Sequence, residues 1–140
     1  MSWTQRWCED AQKRLKKFGK KWKHEVRNVA DNLTTLIASV EEGSRSEQLK
    51  KLGFVRSEPS GILAIDESGP GKGSRMKALR LYVYLHEEKE DLYILTLGDK
   101  DSQEDDIKLS QVFVSGLREH GGTHSTPRLS ESNAGQSEID

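Results

Sequence analysis

Between positions 15 and 40 the apolar residues Leu15, Phe18, Trp22, Val26, Val29, Leu33, Leu36 and Val40 recur at steps of three and four. That spacing gathers side chains along one stripe of an α-helix. Trp3 and Trp7 carry the same step backwards, so residues 4 to 42 are expected to be helical, as one extended helix or as two folded on each other. Gly19 interrupts the pattern at a cost of about 1 kcal/mol relative to alanine, which leaves both arrangements open. Gly43 supplies the stop.

Beyond a polar connector the period changes from 3.6 to 2. Ile62-Leu63-Ala64-Ile65 is a short apolar run bounded by Pro59 and Gly61 on one side and by the loop Ser68-Gly69-Pro70-Gly71-Lys72-Gly73-Ser74 on the other, and it reads as a strand. In Leu79-Arg80-Leu81-Tyr82-Val83-Tyr84-Leu85-His86 the aliphatic residues alternate with Arg, two Tyr and His, as a half-buried strand requires. Glu87-Glu88-Lys89-Glu90 makes a charged turn, and Leu92-Tyr93-Ile94-Leu95-Thr96-Leu97 returns as a strand apolar enough to lie centrally. Ser102, with Asp105 three residues on, has the form of a capping box for a closing helix over 102–118 that turns Ile107, Val114 and Leu117 inward. Glu104, Asp105 and Asp106 complement the positive end of its dipole.

The order predicts an α+β fold: N-terminal helices packed on the aliphatic face of a small antiparallel sheet over 60–98, followed by a C-terminal helix. At 140 residues one domain is expected, covering 1–118, with a polar, disordered tail over 119–140.

Net charge is −1, yet Lys13, Arg14, Lys16, Lys17, Lys20, Lys21, Lys23 and Arg27 face only Glu25 between positions 13 and 27. This local excess suits a polyanion, and Lys20, Lys21 and Lys23 are the candidate phosphate contacts there, against the alternative of a solvated helix face. No apolar run is long enough for a bilayer and the first residues lack a secretory pattern, so a cytoplasmic location without membrane contact is expected. The single cysteine, Cys8, excludes an internal disulfide and a cysteine-based zinc cluster. Pro70-Gly71-Lys72-Gly73-Ser74 lacks the Gly-Lys-Ser/Thr adjacency of a phosphate-binding loop.

The segment Leu79-Arg80-Leu81-Tyr82-Val83-Tyr84, its charged turn, and Leu92 through Leu97 followed by Gly98-Asp99-Lys100-Asp101-Ser102-Gln103-Glu104-Asp105-Asp106-Ile107 resemble toxins of the RelE/ParE superfamily, in particular the HigB-like addiction module killer branch. The likeness spans about residues 58 to 118 and is only architectural over the N-terminal helices, where the first strand usual in that family is not evident. It implies a toxin silenced by a cognate antitoxin protein. The implied target is mRNA on the ribosome, cleaved as by an endoribonuclease, or alternatively DNA gyrase, inhibited without catalysis. A decayed or repurposed binding module is the remaining alternative. No cofactor and no metal are implied.

Metal-free RNA cleavage needs an acceptor for the 2′-hydroxyl proton, cations around the phosphorane-like transition state and a donor for the leaving oxygen. Arg80 is the candidate phosphate clamp, since its fixed fork of donors fits a phosphate and it matches the family's strand arginine. His86 is the candidate proton acceptor, because imidazole is the side chain most suited to exchanging protons near neutrality. Lys100, in the family-like turn, and Tyr82 complete the expected catalytic set, while Tyr84, Lys72, Arg75 and Lys77 are the expected nucleic-acid contacts. For Gln103 and Asp106 a helix start is sufficient explanation. Many nuclease members place a Tyr or His at or after the closing helix, whereas this chain has none until His120 and His124.

Overall fold

A computed structural model describes residues 3–68 and 76–120. Lys72, Arg75, the glycine loop, His124 and the polar tail beyond residue 120 lie outside the described residues.

The first departure from the sequence pattern is at the N-terminus. Thr4–Trp7 forms β1, not a helical turn, and runs parallel to a later strand. A spacing of four, as between Trp3 and Trp7, keeps two side chains on one face of a strand as well as of a helix, so it could not separate the two. Both tryptophans do share a face, packing into the cluster under the helices. Helix α1 (Glu9–Lys21) runs straight through Gly19, and the break falls at Trp22, whose φ of −127° and ψ of 68° part α1 from α2 (Lys23–Glu41). Gly43 follows with φ 110°, the left-handed residue expected after a helix end.

The stretch read as a polar connector contains structure of its own: a short helix α3 (Ser46–Leu49), a strand β2 (Val55–Ser57) and a 3-10 turn at Pro59–Gly61. Three residues of strand are too few for alternation to register. Then come β3 (Leu63–Asp66), β4 (Leu79–His86), β5 (Asp91–Asp99) and α4 (Gln103–His120).

The sheet order is β1-β5-β4-β3-β2, so the fold is α+β as expected, with a mixed rather than purely antiparallel sheet. Strand β5 lies between β1 and β4, which explains its nearly unbroken burial. A register shift at Tyr82/Val83 admits one extra residue in β5.

Two cores lie on the two faces. Leu79, Leu81, Val83 and Leu85 of β4 join Leu92, Ile94 and Leu97 of β5 beneath α1 and α2. On the other face Tyr82, Tyr93 and Leu95 pack under Phe113, Val114 and Leu117 of α4. The face expected to be open and polar is therefore largely roofed by the closing helix.

Gly98, opposite Arg80 in the β4–β5 register, is where that roof comes down most closely. A Cβ there would collide with the carboxylate of Asp106 and the hydroxyl of Ser102, both tied to neighbouring groups. Gly98→Ala should accordingly destabilise the fold by about 1–3 kcal/mol, the usual cost of overpacking, as measured by urea denaturation.

Candidate nucleic-acid interface

Strand β4 carries the expected residues in order along its α4 face: Arg80, Tyr82, Tyr84, His86. Six residues of strand separate Arg80 from His86, about 20 Å at 3.3 Å per residue. The anticipated catalytic set of Arg80, Lys100, His86 and Tyr82 is thus split between the two ends of the sheet.

At the first end, Arg80 Nη1 lies 3.7 Å from Glu58 Oε2, both side chains partly buried. Lys77 approaches Asp99 at 3.6 Å, and its ammonium group sits 4.8 Å from the Trp22 ring. Its backbone N–H donates to Glu25 at 2.8 Å, which binds the start of β4 to α2. Lys100 is exposed in the turn between β5 and α4. The Asp99 carboxyl is held below its ordinary range. Burial acts to raise it, but the backbone N–H groups of Ser102 and Asp101 and the Lys77 ammonium together outweigh that penalty.

In the middle, Tyr82 is fully covered and its hydroxyl has no hydrogen-bond partner among the described residues. Burial, reinforced by Asp106 and Glu58 against the opposing Arg80, pushes its phenol up to about 12. Tyr82 lies out of a ligand's reach and keeps its proton. This corrects the expectation of an open strand face: alternation in β4 shows which residues point away from the helical core, but not that a second layer covers them.

Beside it lies a charged hub around the start of α4. Asp106, only 2% exposed, accepts the Ser102 hydroxyl at 2.7 Å and faces Arg14 Nη1 at 3.4 Å. Arg14 also donates to the Leu97 carbonyl at 2.9 Å and lies 3.9 Å from Asp10, which in turn accepts the Thr96 hydroxyl at 2.7 Å. Ser102 thus spends its hydroxyl on Asp106 instead of on a capping box with Asp105. Burial raises the Asp106 carboxyl, only partly countered by Ser102 and Arg14.

The second end is open. A cleft of about 520 Å³ is lined by Tyr84, His86, Lys89 and Arg118, together with Gly61, Leu117, Glu87 and Glu88. Ser60 and Gly61, with φ of 65° and 78°, turn the chain so that the Ser60 carbonyl receives Arg118 at 3.0 Å and its hydroxyl receives Gln111 at 3.2 Å. The Arg118 guanidinium lies 5.8 Å from the centre of the Tyr84 ring. His86 meets Tyr84 and Tyr93 edge-on at 6.4 and 6.5 Å, and its Nδ1 finds no partner among the described residues.

The structure therefore brings Tyr84 and His86 together and adds Arg118, which sequence reasoning missed. It leaves Arg80, Lys77 and Lys100 at the far end. Lys20, Lys21 and Lys23 are exposed around the α1–α2 elbow. His120 closes α4, and Gln103 opens it. Among the described residues no group of three or more His, Cys, Asp or Glu side chains is placed to hold a metal ion, and no helix is long and apolar enough to cross a membrane.

No family model and no curated protein matches the chain. Among solved structures it is similar to the E. coli toxin RelE in the free state, a mutant with two arginines changed to alanine. The identity is 18%, the TM-score is 0.47, and the match covers 80% of this chain and 99% of that one. At that distance no residue or activity passes from one chain to the other.

The raised Asp106 carboxyl fixes the sign of a pH effect. It binds a proton more readily folded than unfolded, so its contribution to stability is present below the ordinary value of 3.8 and is lost as pH rises through its folded value. Urea denaturation from pH 3 to 7 should show wild type losing stability relative to Asp106→Asn as pH climbs above about 3.8, until the carboxyl is ionised.

Proposed function

We propose that this chain is the toxin of a toxin–antitoxin pair and that it cleaves RNA without metal at the cleft beside the β4–β5 turn. The observation that carries the reading is the convergence of an imidazole, an aromatic ring and a guanidinium on one opening large enough for a nucleotide. The sequence likeness over 58–118 supplies the biological setting: mRNA on the ribosome as substrate and a cognate antitoxin as silencing partner.

In this scheme His86 accepts the proton of a ribose 2′-hydroxyl. The freed oxygen forms a bond to the adjacent phosphorus, the bond from phosphorus to the 5′-oxygen breaks, and a 2′,3′-cyclic phosphate remains. Arg118 faces the charge that gathers on the phosphoryl oxygens, and Lys89 on the rim donates the proton that the departing 5′-oxygen takes up. Tyr84 offers its ring to a splayed base, with Arg118 already alongside it. Glu87 and Glu88 repel a polyanion, so the strand enters from the Arg118 side. Arg80, with Lys77 and Lys100, meets the phosphates farther along, and Tyr82 supports the floor beneath α4.

A second reading, a gyrase inhibitor that acts by binding alone, is favoured by one observation: Arg80 is already paired with Glu58, about 20 Å from His86.

Controlled expression separates the two. Cleavage predicts growth arrest with message cut inside codons; intact message together with blocked supercoiling in a purified gyrase assay would transfer the assignment to the second reading. In single-turnover cleavage, His86→Ala should lose about 10²- to 10⁴-fold, the usual contribution of a proton-transfer group, while its melting temperature stays near wild type. Arg80→Ala should abolish toxicity with thermal stability nearly unchanged; a large drop in melting temperature would make Arg80 part of the scaffold instead.

A further inference from the structure

On α1, Lys13, Lys16, Lys17, Lys20 and Lys21 recur at steps of three and four, the same rule that builds an apolar stripe, applied here to charge. Ala11 and Phe18 of the same helix are buried in the core beneath α1, with Leu15 partly buried beside them, so the lysines stand on the opposite, solvent side. All five are exposed. No carboxylate pairs with any of them among the described residues. Acids flank the row only at its ends, Glu9 and Asp10 before Lys13 and Glu25 after Lys21, so five like charges follow one another over about 12 Å of helix with no acid between them, and Lys23 prolongs the row past the elbow at Trp22.

We propose that this lysine row is a second nucleic-acid site, on the solvent side of α1, and that it takes the phosphate backbone of a double-stranded RNA stem. Three observations choose the occupant. The apolar side of α1 is committed to the core, so the helix has no face to insert into a lipid surface. Trp22 is the aromatic group at hand, but it is stacked on Phe18 at 5.4 Å and flanked by the ammonium groups of Lys21 and Lys77, each 4.8 Å from its ring. Single strands are held by bases stacked on free aromatic rings, and none is offered here. The row is lysine throughout, point charges that meet phosphates without the paired geometry of a base-reading arginine. Only the preference for RNA over DNA rests on the cleft reading; the row itself stands without it. Together the two sites would let the protein ride on a stem while an unpaired strand enters the cleft.

The test is fluorescence anisotropy with the full chain and a 20-base-pair RNA duplex of arbitrary sequence, titrated at several salt concentrations. With five contacts the slope of log affinity against log salt should lie near −4 to −5, taking the ~0.9 per contact of duplex DNA as a guide. Replacing all five lysines by glutamine should weaken binding at least about 100-fold at low salt and flatten the slope, whereas replacing them by arginine should preserve both. Should the fivefold glutamine variant lose its circular dichroism, Lys16→Gln with Lys20→Gln should still reduce the slope by about 2. His86→Ala should bind the duplex as wild type does. Binding by the lysine row in a protein that cuts no RNA would leave this site standing and remove the cleft reading. An unchanged slope in the glutamine variants would overturn the proposal. So would tighter binding of a DNA duplex of equal length, or adsorption to phosphatidylserine vesicles with no duplex binding.

Discussion

Arg14 reaches from α1 past the edge of β5 to the carboxylate of Asp106 on α4, and on its way hydrogen-bonds the Leu97 carbonyl. One guanidinium thereby joins the layers on both faces of the sheet. The contact exists because Gly98 has no side chain, which lets the first turn of α4 settle against β5, and because Ser102 and Thr96 occupy the remaining acceptors of Asp106 and Asp10. Removing one member of such a group strands a buried charge, whereas the intact group adds little net energy. Its role is therefore registry: it sets where α4 lies along the sheet, and with it the position of Arg118 two helical turns beyond Gln111.

That placement divides β4 into three parts. The α4 roof covers Tyr82, leaves Tyr84 and His86 open at the end where the helix runs out, and leaves Arg80 to an ion pair with Glu58 at the other. The cleft is thus made by where a helix ends as much as by what the strand carries. The opposite side of the molecule is governed by a different economy: a core filled by aliphatic side chains under α1 and α2, and an outer surface on which like charges accumulate without acids between them.

Long, strongly periodic segments were legible. The stripe from Leu15 to Val40 and the alternation in β4 place those elements and their buried faces as found. Short strands were not: β2 has three residues, and β1 lies between Trp3 and Trp7, whose spacing strand and helix share. For the site, Tyr84 and His86 could be read from alternation, but the burial of Tyr82 depends on α4 folding over the same face, a long-range event with no local mark. Arg118 had a faint signal, since Gln111 and Arg118 are seven residues apart and fall on one helical face. The left-handed Ser60 that receives both of them had none, because serine rarely adopts that conformation.

The parallel pairing of β1 with β5 couples Thr4 to Asp91. Strand β1 must therefore wait for one made nearly ninety residues later, and its sheet neighbour among the described residues is β5, buried over eight of its nine residues. Loop closure over such a span is slow, so assembly is expected to finish at this edge, with two tryptophans uncovered in the interval. Until that pairing forms, β1 and the matching rim of β5 both present unpaired backbone groups, which makes this edge the natural point of vulnerability to misassociation during folding.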